Sequence, residues 1–341
     1  MKSVYIHSAV CISPQNTFES EIFDWNFKKI NEKKSEAVHP NYKDYIPASA
    51  MRRMATGVKM GVAAATKALQ EATITQPDAI LTGTGMGCIE DTEKFLNSII
   101  TNEEEFLTPT AFIQSTHNTV GAQIALGLKC KSYNNTYVHG AISFESALMD
   151  ALLLIQKEEA KNVLVGGVDE LGSEFVDAVR MLEDQHPQGI NVPIGEGASF
   201  FGLSSEYKKE AVELVDVATF SKLDIDALSE TVTNFLKRYH VDLSEINVLI
   251  VGNNGDASDV WYNRLQTLFA PGTVTIPYKG WSGEFYTASA FGLFLGYEIL
   301  TSQHIPHSFL ADKPSDQNIK TILLYNQFKG RDHSFILLKL C

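Results

Sequence analysis

Residues 136–143 of this chain read TYVHGAIS and set its architecture. The β-branched and aromatic residues at the start favour a strand, the small residues favour a tight turn, and the mostly apolar residues 144–156 predict a buried helix. A side chain in such a turn lies at a helix N-terminus, where the helix dipole and free N–H groups stabilise a thiolate or an oxyanion. Ala141 carries no group that can use this environment. The turn is therefore suited to acyl chemistry but lacks a nucleophile.

The composition narrows the class of protein. A length of 341 residues allows about two domains or one large α/β unit, and 44% hydrophobic residues provide ample core material. A formal net charge of −13 argues against binding nucleic acid or anionic membranes. No apolar run reaches about 18 residues, so no membrane span is predicted. The four cysteines are widely spaced and form no CxxC pair, so no metal site is predicted. Because the sequence also shows no signal peptide, we expect a cytoplasmic protein with free thiols.

Strand and helix patterns alternate along the chain, which favours an α/β fold. Apolar patterns predict strands at 79–82, 162–165, 248–251 and 274–276, helices at 52–72, 225–239 and 287–300, and a closing hairpin of 321–325 with 334–338. The second half repeats the order of elements in the first, which indicates a duplication. A polar stretch around residues 204–210 is the best boundary, and it divides the chain into halves at 1–205 and 206–341.

A glycine-rich stretch, GTGMG at residues 83–87, resembles a nucleotide-binding loop at first sight. It lacks the full G-x-G-x-x-G spacing, and no acidic residue follows at the expected offset. A tight turn is the better interpretation, and the sequence predicts no cofactor.

Five motifs in order give the chain a recognisable family character. They are MRRM at 51–54, GTGMG at 83–87, TPTAF at 108–112 with Asn118 and Gly121, VGGVDE at 165–170 and GEGA at 195–198. In these motifs the chain resembles the thiolase-fold β-ketoacyl-acyl-carrier-protein synthases over nearly its whole length. The resemblance implies a thiolase-like α/β fold with two duplicated βα halves in αβαβα layers. It also implies a dimer in which the strand around residues 135–139 pairs across a two-fold axis.

The catalytic set of that family is not retained. By resemblance, the cysteine position falls at Ala141, the first histidine at Asn254, the lysine at Lys279 and the second histidine at Glu284. Condensation needs a thiolate to carry the acyl chain and two imidazoles to support decarboxylation and stabilise an enolate. An ionised Glu284 would repel that enolate, and burial beside Lys279 favours an internal ion pair instead. The family's terminal loop with its gating phenylalanine is reduced to NQFKG at 326–330, so that residue cannot be assigned.

Other polar residues offer no replacement for this set. Ser143 is best interpreted as the N-cap of the following helix, because no histidine base can be assigned beside it. His117 and His139 are interpreted as satisfied polar residues, with a role in the site as the alternative. We expect Trp281, Phe285 and Tyr286 to fill the space through which a substrate would reach Ala141.

The resemblance therefore implies a chain-length-factor-like subunit, not an enzyme by itself, that forms a heterodimer with an active ketosynthase in type II polyketide, polyene or fatty-acid assembly. Acyl carrier protein would be an indirect partner, and a homodimer remains the alternative assembly. Candidates for the shared acyl tunnel or interface are Phe112, Ile113, Thr116, His117 and His139. One alternative function is a divergent acyltransferase or decarboxylase that uses His139, Lys279 and Glu284 without covalent catalysis. Another is a homodimeric scaffold for acyl carrier protein, which the net charge disfavours because carrier proteins are themselves acidic.

Overall fold

The computed structural model describes residues 2–19, 27–30, 32–185, 189–310 and 318–341. The described helices are α1 Ala48–Met51, α2 Thr56–Ala72, α3 Ile89–Thr101, α4 Pro109–Ser115, α5 Thr119–Leu128, α6 Ser143–Gln156, α7 Ser173–Glu183, α8 Leu228–Lys237, α9 Asp259–Gln266, α10 Lys279–Ser282, α11 Ser289–Ser302 and α12 His307–Leu310. The described strands are β1 Tyr5–Ile12, β2 Lys34–Ser35, β3 Ala79–Gly83, β4 Tyr133–Tyr137, β5 Asn162–Asp169, β6 Ile194–Gly195, β7 Gly197–Ser204, β8 Val212–Ser221, β9 Val248–Val251, β10 Val274–Pro277, β11 Thr321–Phe328 and β12 Asp332–Leu340. Among the helices in the described part of the chain, none combines the length and hydropathy that crossing a bilayer requires.

The duplication is visible in the sheet. Ten strands follow the order β10-β9-β11-β12-β8-β1-β7-β5-β3-β4. Counted outward from the junction of β8 and β1, the first half contributes β1, β7, β5, β3 and β4, and the second half contributes β8, β12, β11, β9 and β10. Along the chain these are the first, fifth, fourth, second and third strands that each half gives to this sheet. The pairing senses also match, because the inner strands of each half are antiparallel and the outer three are parallel. The halves join through a short antiparallel contact in which Tyr5 pairs with Glu213 and Ile6 with Val212.

The apolar side chains form three cores, as the layered fold requires. One core lies between α2 and the first half of the sheet, and another lies between α8, α9 and the second half. The central core contains α6 and α11 together with strands from both halves. α11 is buried on nearly all sides, which fits its uniformly apolar sequence. The expected αβαβα arrangement of a thiolase-like α/β fold is confirmed. The boundary at 205/206 falls in the link between β7 and β8, and as a division into independent domains it stays a prediction.

Three helices start later than the sequence predicts, α2, α8 and α11, and tertiary hydrogen bonds account for the differences at α2 and α11. The helix predicted at 52–72 is interrupted, and α2 begins only at Thr56. The N–H of Ala55 donates to Gln114, and the N–H of Gly57 donates to Glu170, which fixes the chain direction there. α11 begins at Ser289 because the N–H and hydroxyl of Thr287 are both bound by Asp169.

The parallel strands of the second half bring the predicted site residues together. β9, β10 and β11 run in the same direction, so their carboxyl ends meet at one edge of the sheet. Asn254 follows β9, Lys279 follows β10, and Asn326 lies near the end of β11. In the first half, the end of β5 at Asp169 faces the start of α11. Open α/β sheets commonly place their functional crevice at such carboxyl ends.

Candidate functional site

Ala141 lies in a short 3-10 turn, Gly140–Ile142, immediately before α6. It is buried, and the preceding Gly140 has a φ of +58°, a conformation that favours glycine. Ser143 does not act as the predicted N-cap, because it is the first residue of α6 itself. Its hydroxyl accepts from the N–H of His139 at 2.8 Å and donates to the carbonyl of Gly140 at 2.6 Å. Ser143 therefore holds the turn closed, and its hydroxyl is fully engaged.

Lys279 and Glu284 form a buried ion pair. Lys279 Nζ is 2.6 Å from Glu284 Oε2, and the side chains are only 2% and 7% exposed. α10 and the turn at Gly283, which has a φ of +74°, bring the two heads together. Burial raises the pKa of the Glu284 carboxyl, and the adjacent ammonium group opposes that shift. The charge of this lysine is thus neutralised inside the protein and is not presented to a ligand.

Asn254 completes one side of this pair. Its side chain is among the groups that oppose the rise in the pKa of Glu284, and it is itself almost fully buried. Its backbone is fixed from both directions: the N–H donates to Asp259 at 2.9 Å, and the carbonyl accepts from the N–H of Asn191 at 2.8 Å. Asn254 can therefore support Glu284, but it cannot move toward a substrate without breaking several bonds.

A tyrosine network that the sequence did not suggest lies beside the ion pair. The hydroxyls of Tyr262 and Tyr278 both donate toward Asn326 Oδ1, at 3.5 and 3.2 Å. Gly252 makes this approach possible, because a Cβ there would lie 2.6 Å from Asn326 Oδ1 and 2.9 Å from Lys279 Cε. Burial raises the pKa of both tyrosines far above its usual value, so they remain neutral donors.

Glu145 lies between the turn at Ala141 and the polar cluster, the name used here for Lys279, Glu284 and Asn254. It lies one helical turn after Ala141 on α6 and is completely buried. Its Oε1 accepts from the Ser334 hydroxyl at 2.9 Å, while Oε2 has no hydrogen-bond partner among the described residues. Burial raises the pKa of this carboxyl, and Lys279 is among the groups that oppose the shift. A condensing site would have to work beside a second buried carboxyl group, which is a poor environment for an enolate.

The carboxylates of the family motifs serve structural roles. Asp169 accepts from the hydroxyls of Thr84 and Thr287 and from three backbone N–H groups, and so clamps the GTGMG turn to the start of α11. Glu170 accepts from the N–H groups of Gly57 and Glu90, and burial raises its pKa to about 7. Glu196 accepts from the N–H groups of Ala37 and Leu171 in the same way. These residues position loops and leave few lone pairs for a ligand.

The cysteines offer no substitute nucleophile. Cys11 accepts a hydrogen bond from the Ser199 hydroxyl, and burial raises the pKa of its thiol to about 11. Cys88 precedes α3, but burial and the carboxyl of Glu170 raise its pKa as well. Cys130 is directed to the carbonyl of Pro77. Reactive cysteines require a lowered pKa, and neither Cys11 nor Cys88 has one.

The tunnel and interface candidates lie at the surface of this chain. Phe112 and Ile113 on α4 are each more than half exposed. The Thr116 hydroxyl donates to the carbonyl of Ile113, and His117 lies against the turn at Gly87. His139 is exposed, with Nδ1 2.9 Å from the Ser146 hydroxyl. His139 follows β4, one of the two edge strands of the described sheet.

A cavity of about 730 Å³ lies beside the polar cluster. Glu284, Phe285 and Tyr286 line it, together with α7 and Phe328. Ala141 is not among its lining residues. Phe285 and Tyr286 line this open space, and the expectation that they fill the approach to Ala141 stays a prediction. Trp281 packs on Phe309 instead, with ring centroids 4.4 Å apart.

A family model described as "Beta-ketoacyl synthase, N-terminal domain" matches residues 24–213, which is more than half of the chain. The chain belongs to the beta-ketoacyl synthase family. Several solved structures have the same fold as this chain. A comparison with curated proteins gives no significant match.

The structural comparisons extend over the whole length of this family member. The ishigamide ketosynthase/chain length factor superposes with a TM-score of 0.80 at 16% identity, covering 99% of each chain. A beta-ketoacyl synthase from Burkholderia phymatum STM815 gives 0.79 at 16%, covering all of both chains. The ketosynthase ApeO in complex with its chain length factor ApeC, from Xenorhabdus doucetiae, gives 0.78 at 14%, covering 100% of this chain and 98% of the other. At these identities the likeness establishes the fold.

Proposed function

We propose that this chain is a non-catalytic, chain-length-factor-like subunit that partners an active β-ketoacyl synthase. The proposal rests on the residues found at the catalytic positions. Ala141 has no nucleophile, and the only retained catalytic residue, Lys279, is closed off in a buried pair with Glu284. Condensation needs both a covalent carrier and free donors for the enolate. Such a chain contributes to synthesis through its shape and not through its chemistry.

The surface around α3, α4 and β4 supports a partner role. We call it the α3–α4 face, and its exposed apolar residues are Leu96, Ile100, Phe106, Phe112 and Ile113. Apolar side chains clustered on one face of a protein mark interaction sites more often than singly scattered ones do. In the described sheet β4 is also an edge strand, and its neutral sequence YNNTY tolerates pairing with another strand.

Within the proposed heterodimer, Phe112, Ile113 and Thr116 would line or close the acyl tunnel that the two subunits share. Solved structures of the same fold include a ketosynthase with its chain length factor and a type II synthase complex with acyl-carrier protein. The type II synthase complex supports type II polyketide assembly as the setting, and the proposal also includes polyene or fatty-acid assembly. These structures also support an acyl carrier protein that acts mainly through the ketosynthase. A cytoplasmic location is part of the proposal and agrees with four free cysteines.

The geometry weighs against the enzymatic alternative. A decarboxylase built from His139, Lys279 and Glu284 would need these groups free at one cavity. Lys279 and Glu284 neutralise each other in the interior, whereas His139 is exposed and bound to Ser146. Glu284 lines the cavity, but His139 and Lys279 do not.

Co-expression with a ketosynthase that retains the cysteine and both histidines, encoded next to this chain, tests the proposal. We expect affinity capture of one subunit to retain the other. Phe112→Glu should abolish capture, because it places a charge in an apolar interface. Leu153→Glu is a matched control, since Leu153 is similarly exposed but lies outside the α3–α4 face. Failure of the wild-type chain to bind the ketosynthase, or equal loss with both variants, would contradict the proposal.

A further inference from the structure

The cavity beside the polar cluster has a fixed shape. α7 forms one wall, through Phe175, Val176, Val179 and Leu182. Arg180 on the same helix holds that wall in place, because its guanidinium donates to the carbonyls of Lys33, Ile190 and Val192. A volume of about 730 Å³ is within the range of small-molecule sites, which are usually preformed and mostly apolar. The cavity is therefore large enough to hold a ligand, and its α7 wall is held by the hydrogen bonds of Arg180.

The lining combines aromatic rings with carboxyl groups. Four aromatic residues contribute to it: Phe175, Phe285, Tyr286 and Phe328. The rings of Tyr286 and Phe328 contact each other, with centroids 5.7 Å apart. The ionisable lining residues are Asp169, Glu170, Glu183, Asp256, Glu284 and Lys329, that is, five carboxyl groups against one ammonium group. Aromatic rings next to negative charge attract organic cations, and quaternary ammonium groups in particular.

The lining groups are not equally available to a ligand. Lys329 is bound to Glu183 at 2.9 Å, so its charge is compensated. Asp169 and Glu170 are bound by backbone N–H groups, and Glu284 is bound by Lys279. Asp256 is half-buried, and its Oδ1 accepts a hydrogen bond from the N–H of Ser258 at 2.7 Å. Asp256 is thus the carboxylate best placed to receive a cationic group.

We propose that this cavity is a binding site for an organic cation with an apolar body, in which Asp256 and the aromatic lining receive the cationic group and the α7 wall receives the apolar part. Among the described lining residues, an anionic ligand of the same length would meet carboxyl groups and one ammonium group, Lys329, that Glu183 already compensates. The proposal is independent of the partner role, because the α3–α4 face does not line the cavity. It gives this chain a ligand of its own that does not require a nucleophile at Ala141.

Isothermal titration of the full-length chain with n-decyltrimethylammonium, below its micelle concentration, tests the site. Decanoate and 1-decanol are the probes of matched length with negative and no charge. We expect saturable binding of the cation and at least about tenfold weaker binding of decanoate, a difference of about 1.4 kcal/mol. Asp256→Asn should weaken binding of the cation by about three- to tenfold, in the range of a partly exposed charge contact, and should leave decanol unaffected.

Val179→Trp fills the cavity and should abolish binding of all three probes. Leu182→Trp is a second filling variant on the exposed side of α7, so at least one of the two should keep the parent's thermal unfolding. Asp226→Asn removes an exposed carboxylate elsewhere and should change nothing. Three results would each overturn the proposal: no saturable binding of the cation, equal binding of decanoate, or undiminished binding to a folded tryptophan variant.

Discussion

Replacing Glu284 with glutamine removes the counter-ion of a lysine that has almost no contact with solvent. The two heads are 2.6 Å apart and almost fully buried. Breaking a buried pair by removing one partner typically costs about 3–5 kcal/mol, because the remaining charge stays uncompensated. Glu145 is a second carboxyl group that acts on Lys279, and it can ionise in the variant. We therefore expect Glu284→Gln to lower the free energy of unfolding by about 3 kcal/mol, the lower end of that range.

Urea unfolding followed by tryptophan fluorescence measures this change, provided the slope with denaturant is unchanged. The exposed pair of Lys33 and Asp184 is a matched control, because its atoms are also 2.6 Å apart. Asp184→Asn should lower the free energy of unfolding far less than Glu284→Gln does, because exposed ion pairs contribute little. If Glu145 shares the compensation, Glu284→Gln with Glu145→Gln should cost more than the sum of the two single changes. A loss from Glu284→Gln no larger than that of the control would refute the buried-charge reasoning.

Three further changes test other parts of the account. Ala141→Cys should at most become acylated by an acyl thioester, because both imidazoles are missing and a single lost oxyanion donor already costs about 10²–10³-fold in rate; a ketoacyl product detected by mass spectrometry would contradict this. Glu145→Gln should be more stable than the parent at about pH 8. Burial raises the pKa of Glu145, so this carboxyl keeps its proton to higher pH in the folded parent than in the unfolded chain. The parent therefore loses stability as the pH rises above about 4.5, and the variant does not. If the free energy of unfolding in urea has the same pH dependence in both proteins, Glu145 does not carry a buried proton. Asp169→Asn should lower the free energy of unfolding by about 3 kcal/mol, since five donors lose their anionic acceptor, and an effect below about 1 kcal/mol would show that the clamp is dispensable.

The sequence predicts those parts of the site that depend on spacing along the chain. The turn at Ala141 precedes an apolar helix, and the apolar strands and the repeated order of elements predict the duplicated layers. Lys279 and Glu284 are five residues apart across a glycine turn, so their pairing follows from local geometry. Each of these inferences needs only one or two neighbouring elements.

The features that the sequence does not reveal come from distant segments that the fold brings together. The tyrosine network requires α9, β11 and the residue before α10 to meet at Gly252, and no motif links them. In the sequence Glu145 is one polar residue of a helix. The fold places Ser334 and Lys279 next to it, and neither neighbour can be predicted from its position in the chain. The sequence does not reveal the cavity, because Phe285 and Tyr286 line it together with α7, which lies more than 90 residues earlier in the chain.

Reconstitution with purified acyl- and malonyl-carrier protein tests the central claim most directly. Ketoacyl product should be measured for this chain alone, for the partner ketosynthase alone and for the two subunits together. We expect no product from this chain alone. The complex should form product, with a length distribution that shifts when Ile113 is replaced by tryptophan in the shared tunnel. Sustained formation of ketoacyl product by the wild-type chain alone would contradict the account.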